Sequence, residues 1–446
     1  MAPWTAHTPQ RALVHIILGP SDLASSELNT HLQKEWQPGK RHLVFIDKLA
    51  SDADCVKLAS VLLEKVVMPD GPSRERAADV EELDINVIVP SVEQLPLAEA
   101  IVRCTSLLHL GLCNPDLDML KALTSLANLQ SLKLRNCNVE DGPFQVLASG
   151  KFKDTLQCLS VISSEFQAEH LRALRDIARH FKNLHDLRFF TIPNGIDSIA
   201  ADEIAQALPA FASLDSFSMS FVNFNVVTQI MPALQKLEAL RQLEFSEITL
   251  TDDECAALFL QLSVLPLLES LVFVAPRNQA AASQLRIMLE KSTCRLQYLR
   301  LYKCGLDTNA AMELAAGLKA NRSLKSLILR GASLDQTSAT ILGQVIGNHP
   351  GLLDMELQFS NITAGATFCL LKGALTSKSL MALDLASNNW HPESEQAVLD
   401  LLTANASLIR LVLPDLYADK SAREGHAQVL TANCRRGKVW SAPSSS

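Results

Sequence analysis

The residues able to do chemistry are scattered, and their spacing argues against most reactions. Ten cysteines occur, at 55, 104, 113, 137, 158, 255, 294, 304, 369 and 434, and none forms a Cys-x-x-Cys pair. That pair is the spacing zinc sites and dithiol redox centres use. Set among apolar neighbours, these cysteines read as small hydrophobes kept reduced in a cytoplasmic compartment. His180 and His185 fall on different elements, too far apart in direction to share a metal. No phosphate-binding G-x-x-x-x-G-K-[ST], no G-x-G-x-x-G after a strand, no H-E-x-x-H and no G-x-S-x-G is present. The expectation is a chain that is not an enzyme and needs neither cofactor nor metal. Recognition chemistry is better represented. The stretch LQYLRLYKCGLD, residues 296–307, holds two of the three tyrosines, with Arg300 between them. Tyrosine and arginine combine large contact area with directed hydrogen bonds. Which of these side chains share a face depends on the element that carries them.

That element is one copy of a repeat. The pattern L-x-x-L-x-L starts at Leu240, Leu268, Leu296, Leu324, Leu352, Leu380 and Leu408, each 28 residues after the last. Earlier starts are Leu107, Leu129, Leu156, Leu184 and Leu214, and a weaker copy begins at Val80 with Leu83 and Ile85. A second apolar pair follows with helical i, i+4 spacing, as Leu258/Leu262, Leu314/Leu318, Leu342/Ile346 and Val398/Leu402. In the copies of irregular length the pair moves with the insertion or deletion, to Ile204/Leu208 and Ile230/Leu234. Each unit therefore reads as strand, turn and helix. One unit cannot bury its apolar face alone, so units stack, with parallel strands on one side and helices on the other. Helices are wider than strands, roughly 10 Å against about 4.8 Å, which predicts curvature with the strands inside.

Here the chain resembles leucine-rich repeats of the ribonuclease-inhibitor type. Their pattern L-x-x-L-x-L-x-x-N/C-x-L matches at Leu129, Leu132, Leu134, Cys137, Val139, at Leu296, Leu299, Leu301, Cys304, Leu306, and at Leu380, Leu383, Leu385, Asn388, Trp390. The resemblance spans about residues 80–415 and implies an α/β leucine-rich-repeat solenoid, a horseshoe with its parallel sheet on the concave face. In that family the Asn/Cys position satisfies backbone groups at the turn. Ile192, Val222, Ile248 and Pro276 occupy it in the middle repeats, and Asn194 and Asn278 break the next apolar position. Irregular loops are expected there, and Pro232 is expected to shorten or bend its helix.

Residues 1–79 fit the period loosely and read as an N-terminal cap. Within them 42–46 reads as a strand, 54–67 as a helix and 68–79 as a polar loop. Residues 416–446 read as a closing helix and a disordered tail. RALVHIILGP reads as an ordinary strand rather than a signal peptide. No stretch approaches the roughly 20 apolar residues of a membrane span. With no secretion signal, the sequons at Asn321, Asn361 and Asn405 are not expected to be used. The net charge of −8 over 446 residues leaves no basic excess for nucleic-acid backbones.

Strand alternation places positions two, four and six after each start leucine on the concave sheet. Tyr298, Arg300, Tyr302 and Arg330 should cluster there, with Asp354 and Glu356 one or two strands away. Arg188 and Phe190 form a second, smaller patch, spaced from the first by Ser216, Ser218 and Ser220. The expected function is a monomeric, non-enzymatic scaffold gripping a partner protein on this face, with no nucleic acid and no membrane. Activation of small GTPases and a bacterial effector acting in host cytosol are the alternatives that the resemblance leaves open.

Overall fold

The structure, a computed structural model, describes residues 13–18, 41–46, 65–68, 71–75, 80–88, 91–136, 143–162, 168–191, 196–274, 276–303, 306–332, 334–388 and 394–413. Contacts divide the chain into two compact units. One is Met1–Met219 with Gln229–Ala239, the other Ser220–Thr228 with Leu240–Ser446.

The first unit carries strands β1 (Leu13–Leu18), β2 (Arg41–Ile46), β3 (Lys65–Met68), β4 (Gly71–Glu75), β5 (Val80–Ile88), β6 (His109–Cys113), β7 (Ser131–Arg135), β8 (Cys158–Ile162), β9 (Asp186–Phe190) and β10 (Ser216–Ser220), whose last residue belongs to the second unit. All but β3 and β4 pair in parallel, each with the next along the chain. Helices α1 (Ser91–Val102), α2 (Leu117–Leu123), α3 (Pro143–Ala148), α4 (Ala168–Ala178) and α5 (Ser198–Ala207) alternate with them, and α6 (Phe224–Leu234) follows β10. In the second unit β11 (Gln242–Ser246), β12 (Ser270–Val274), β13 (Tyr298–Tyr302), β14 (Ser326–Arg330), β15 (Asp354–Glu356), β16 (Ala382–Asp384) and β17 (Arg410–Val412) continue the pattern. They alternate with α7 (Asp252–Leu262), α8 (Gln279–Glu290), α9 (Thr308–Ala320), α10 (Gln336–Asn348), α11 (Ala364–Thr376) and α12 (Glu395–Ala404). This is an α/β leucine-rich-repeat solenoid.

The core is the repeat made physical. Every start leucine from Leu107 to Leu408 is buried, as are the helical pairs from Ile204/Leu208 to Val398/Leu402. Phe273 packs edge-on against Phe245 and Phe259, with ring centroids 6.4 and 5.2 Å away. Helix entry is set by side-chain caps. Asp116, Asp197, Asn223, Thr251, Asn278, Asp307, Asp335 and Thr363 each accept the backbone N–H three residues on. Asn278 breaks the apolar pattern for that reason.

Strand exit follows a second rule. Seven residues after the start leucine the backbone turns left-handed, at Asn114, Asn136, Phe221, Glu247, Lys303, Gly331, Phe359 and Ser387, with φ between 50° and 72°. Asn and Gly adopt this region readily, whereas the bulkier residues are strained by about 1 kcal/mol each. The conformation lets this N–H bond the carbonyl six residues after the next start leucine, as Asn114 to Arg135, Phe221 to Ser246 and Gly331 to Gln358. At the following position Ser360 Oγ accepts from Ala332 N and Asn388 Oδ1 accepts from Ser360 N, so side chains add rungs. In the middle repeats Val222 and Ile248 are instead buried apolar. The Phe221 rung shows that the backbone ladder persists there without them. Cys137, Ile192, Asn194 and Cys304 lie outside the described residues.

Two expectations change. Lys65–Met68, read as the end of a helix and the first residue of a loop, and Gly71–Glu75, read as loop, are strands of an antiparallel hairpin. Val66-Val67 favours extended backbone. The rest of 54–67 and of 68–79, and all of 416–446, lie outside the described residues. Pro232 does not shorten α6, which has 11 residues like α7. It lies in the last turn, where its missing N–H removes one helical bond only. On the serine strand Ser216 and Ser218 are buried, and Ser216 Oγ donates to Asp186.

Polar groups before the start leucine close the C-terminal repeats. Asn321 Oδ1 accepts from Leu324 N, Asn405 Oδ1 from Leu408 N, and Ser377 Oγ from Leu380 N. Asn321 and Asn405 donate to Leu289 O and Ala374 O, so these two sequon amides are engaged in the interior. His349 takes the same place, its Nδ1 accepting from Gly351 N at 3.1 Å and Leu352 N at 2.9 Å. Burial, followed by Arg322 and Lys325, pushes its pKa down to about 4. The unfolded chain thus takes up a proton below pH 6.5 that the folded chain refuses. Stability is flat above pH 6.5 and falls between there and about pH 4. His349→Asn keeps the acceptor and removes the titration. Its urea-unfolding free energy should lose about 2 kcal/mol less than wild type between pH 7 and pH 5.

Candidate functional site

The parallel register sets the strand face of the second unit as rows. Tyr298 stands beside Ser270 and Ser326, Arg300 beside Val272 and Ile328, and Tyr302 beside Val274 and Arg330. Leu299 and Leu301 turn inward and are buried, whereas Tyr298 is 54% exposed and Arg300 and Tyr302 are half-buried. Small or apolar neighbours on both sides leave Tyr298 and Arg300 standing proud of the sheet. Arg300 Nη1 lies 3.4 Å from the Tyr302 hydroxyl.

Arg330 binds Gln358 Oε1 at 2.9 Å, and its guanidinium lies 5.5 Å from the centre of the Phe359 ring. That stacking holds the charge over an aromatic face. Phe359 is 61% exposed and sits at the strained left-handed position. At the same position Lys303 bridges to Glu247 at 3.1 Å. The structure thus brings together the four residues expected to cluster and adds Phe359.

Asp354 and Glu356 lie on the next strand, with Asp384 beside Glu356. Three carboxylates this close would repel, and Arg410 reaches back across β16 to all of them. Its guanidinium is 3.4 Å from Asp354, 3.7 Å from Glu356 and 3.8 Å from Asp384. Burial, then Asp354 and Asp384, raise the Glu356 pKa, and Arg410 opposes the rise. Gln358 Nε2 donates to Asp384, linking the acidic group to Arg330. The face therefore has an aromatic, cationic half on β13–β14 and an acidic half on β15–β16.

In the first unit Arg188 is held by Asp186 on its own strand, and Phe190 is half-buried. Nearby, Arg135 makes a bidentate pair with Asp84 at 2.7 and 2.8 Å, passing over β6. Gly111 makes room: a Cβ there would stand 2.3 Å from Asp84 Oδ1. Most cations on this side are thus neutralised by their neighbours, and the Arg188/Phe190 patch is the less available of the two.

Nucleophilic chemistry finds little support among the described residues. Burial, then a neighbouring aspartate, pushes the thiols of Cys158 and Cys255 up to about 12. Among those residues no group of three or more His, Cys, Asp or Glu is placed to hold a metal ion. No described helix is long and apolar enough to cross a membrane.

Comparison with known proteins agrees with the architecture. A family model described as "FBD-associated F-box protein At5g56370, LRR repeats" matches residues 72–180. Human "NACHT, LRR and PYD domains-containing protein 12" is 34% identical over 102 residues, covering 22% of this chain and 10% of that protein. The pig (Sus scrofa) ribonuclease inhibitor is 28% identical over 153 residues, 33% of each chain. The chain thus spans a third or less of the length of these relatives. A structure described as the Rad7 and Elc1 complex in yeast aligns with TM-score 0.48 and 18% identity over 76% of this chain and 81% of that one. Its repeats are similar to those of leucine-rich-repeat proteins, the ribonuclease inhibitor among them.

Arg410 sits at the second position of a recognised repeat, so the same alternation that selected Tyr298 points to it. If it is the counter-ion of the acidic group, Arg410→Gln will shift the Glu356 carboxyl titration further upward, read by carboxyl-carbon NMR. An unmoved Glu356 would show that Arg410 is merely adjacent.

Proposed function

We propose that this chain is a non-enzymatic scaffold that recognises a partner protein on the strand face of its second unit. Tyr298, Arg300, Tyr302 and Arg330 serve as anchors, Phe359 extends them at the rim, and Asp354 and Glu356 set charge complementarity. The observation that carries the reading is Tyr298 and Arg300 raised between small and apolar neighbours and backed by the buried Leu299/Leu301 row. Rigid strands preorganise these side chains, so binding orders little. Hot spots are enriched in these residue types. The relative named ribonuclease inhibitor is by that name an inhibitor of another protein, which supports the class of function. The two halves of the face suit a partner with an acidic or carbonyl-rich segment over β13–β14 and a basic one over β15–β16. Arg188 and Phe190 offer a smaller secondary contact.

Affinity capture with the intact chain beside the Tyr298→Ala/Arg300→Ala double variant tests this. Captured partners should be lost from the variant, with a fall in affinity of at least about a hundredfold for any purified partner. Both variant positions are at least partly exposed, so far-UV circular dichroism should be unchanged. Equal capture by a folded double variant would remove the anchors from the proposal.

A further inference from the structure

Lys133, on the strand face of the first unit, makes no hydrogen bond and no ion pair among the described residues. It stands on β7 with Gly111 beside it on β6 and Ser160 on β8, and Arg188 follows Ser160 on β9. Neither flanking residue has a side chain long enough to cover an ammonium. The cations nearby are differently placed. Arg135 is held by Asp84 and Arg188 by Asp186, each through two nitrogens.

Lys133 is half-buried. Burial, then Arg135, push its pKa down; Asp84 opposes the fall and Arg188 adds to it. The ammonium therefore lies within electrostatic reach of both arginines. The Cys158 thiol, pushed up to about 12 first by burial, stays neutral and supplies no anion. Glu82 stands in the next row, beside His109 and two strands away. Since Arg135 cancels Asp84 and Arg188 cancels Asp186, the row carries one surplus positive charge, partly withdrawn from water. Such a charge is costly, and a ligand that supplies its counter-ion relieves the cost.

Charge balance selects the ligand. A carboxylate brings one negative charge. A phosphomonoester brings about −1.5 to −2, and the excess would face Asp84 and Asp186.

We propose that Lys133 anchors a second contact, on the strand face of the first unit, for an acidic side chain of a protein partner. The glutamate or aspartate carboxylate accepts from Lys133 Nζ over the low floor that Gly111 and Ser160 leave. Asp84 and Asp186 keep Arg135 and Arg188 engaged, so neither competes for it. The contact rests on the reading of the chain as a protein-binding scaffold, but not on Tyr298 and Arg300.

Fluorescence anisotropy with a labelled tetraglutamate peptide tests it. The titration uses the full chain carrying Tyr298→Ala/Arg300→Ala, which silences the anchors of the second unit. Tetraglutamate should bind saturably, and a tetraglutamine control at least about tenfold more weakly. Adding Lys133→Met, which keeps the apolar stem and removes the charge, should weaken tetraglutamate at least about tenfold. The same substitution should raise the melting temperature of the free chain, because an uncompensated half-buried charge is gone. Lys133→Arg should retain binding. Absence of saturable binding, binding that survives Lys133→Met, or a lower melting temperature of that variant would overturn the proposal. Tenfold tighter binding when one glutamate is replaced by phosphoserine would overturn the choice of a carboxylate.

Discussion

The burial of one leucine row between strand and helix governs everything else in this chain. A single repeat presents its start leucine, the two strand leucines and the helical pair to one side only, and neighbours must cover them. Each start leucine from Leu107 to Leu408 is covered in this way. Burying a leucine side chain contributes about 2 kcal/mol, so the rows outweigh the local strain they impose. Phe221, Glu247, Lys303 and Phe359 are held left-handed by that margin. The register that buries the leucines also fixes which side chains stand on the opposite face. A slip by one residue would bury Tyr298, Arg300 and Tyr302 and expose Leu299 and Leu301.

Much of this was legible in the sequence, because a period of 28 residues with two apolar signatures over-determines strand, helix and face. The cluster at Tyr298, Arg300, Tyr302 and Arg330 followed from alternation alone. Phe359 did not, because alternation ends with the strand and the left-handed exit that exposes it has no fixed residue type: Asn, Phe, Glu, Lys, Gly and Ser all occupy it. Arg410 was within reach, at the second position after Leu408, but its role depends on length. A side chain that spans two strands to meet Asp354 is not found by comparing immediate neighbours. Ser216 and Ser218, read as a small uncharged spacer, are buried on that face. Facing outward is not the same as being exposed when short side chains stand beside Asp186 and Arg188.

The polar chemistry of the two units differs in how completely it is internalised. In the first, Arg188 is matched by Asp186 and Arg135 by Asp84, while the half-buried Lys133 has its pKa lowered by burial and then by Arg135. In the second, pairing runs along a chain from Arg330 through Gln358 and Asp384 to Arg410, and Arg300, whose charge also acts on Glu356, lies 3.4 Å from the Tyr302 hydroxyl. Partly buried charges that are satisfied by neighbours lose little by staying free of a partner. A guanidinium between Val272 and Ile328 has more to gain from one, because apolar flanks lower the local dielectric and strengthen any new hydrogen bond. This contrast, more than the residue types themselves, separates the two patches.

The helical side obeys a looser constraint. Strand spacing is set by hydrogen bonds at about 4.8 Å and is uniform. Helices have no such ladder between them, and their separation follows the side chains at the contact, commonly 8–10 Å. Where glycine meets glycine, as at Gly343 and Gly373, two helices close up, and the next gap must widen to match the strands beneath. The same sequence choice that tightens α10 on α11 therefore leaves Met312, Ile341 and Val345 along the gap between α9 and α10 without disturbing a single strand bond. A repeat array can thus vary its helix face by exchanging small residues for large ones while its strand face stays in register.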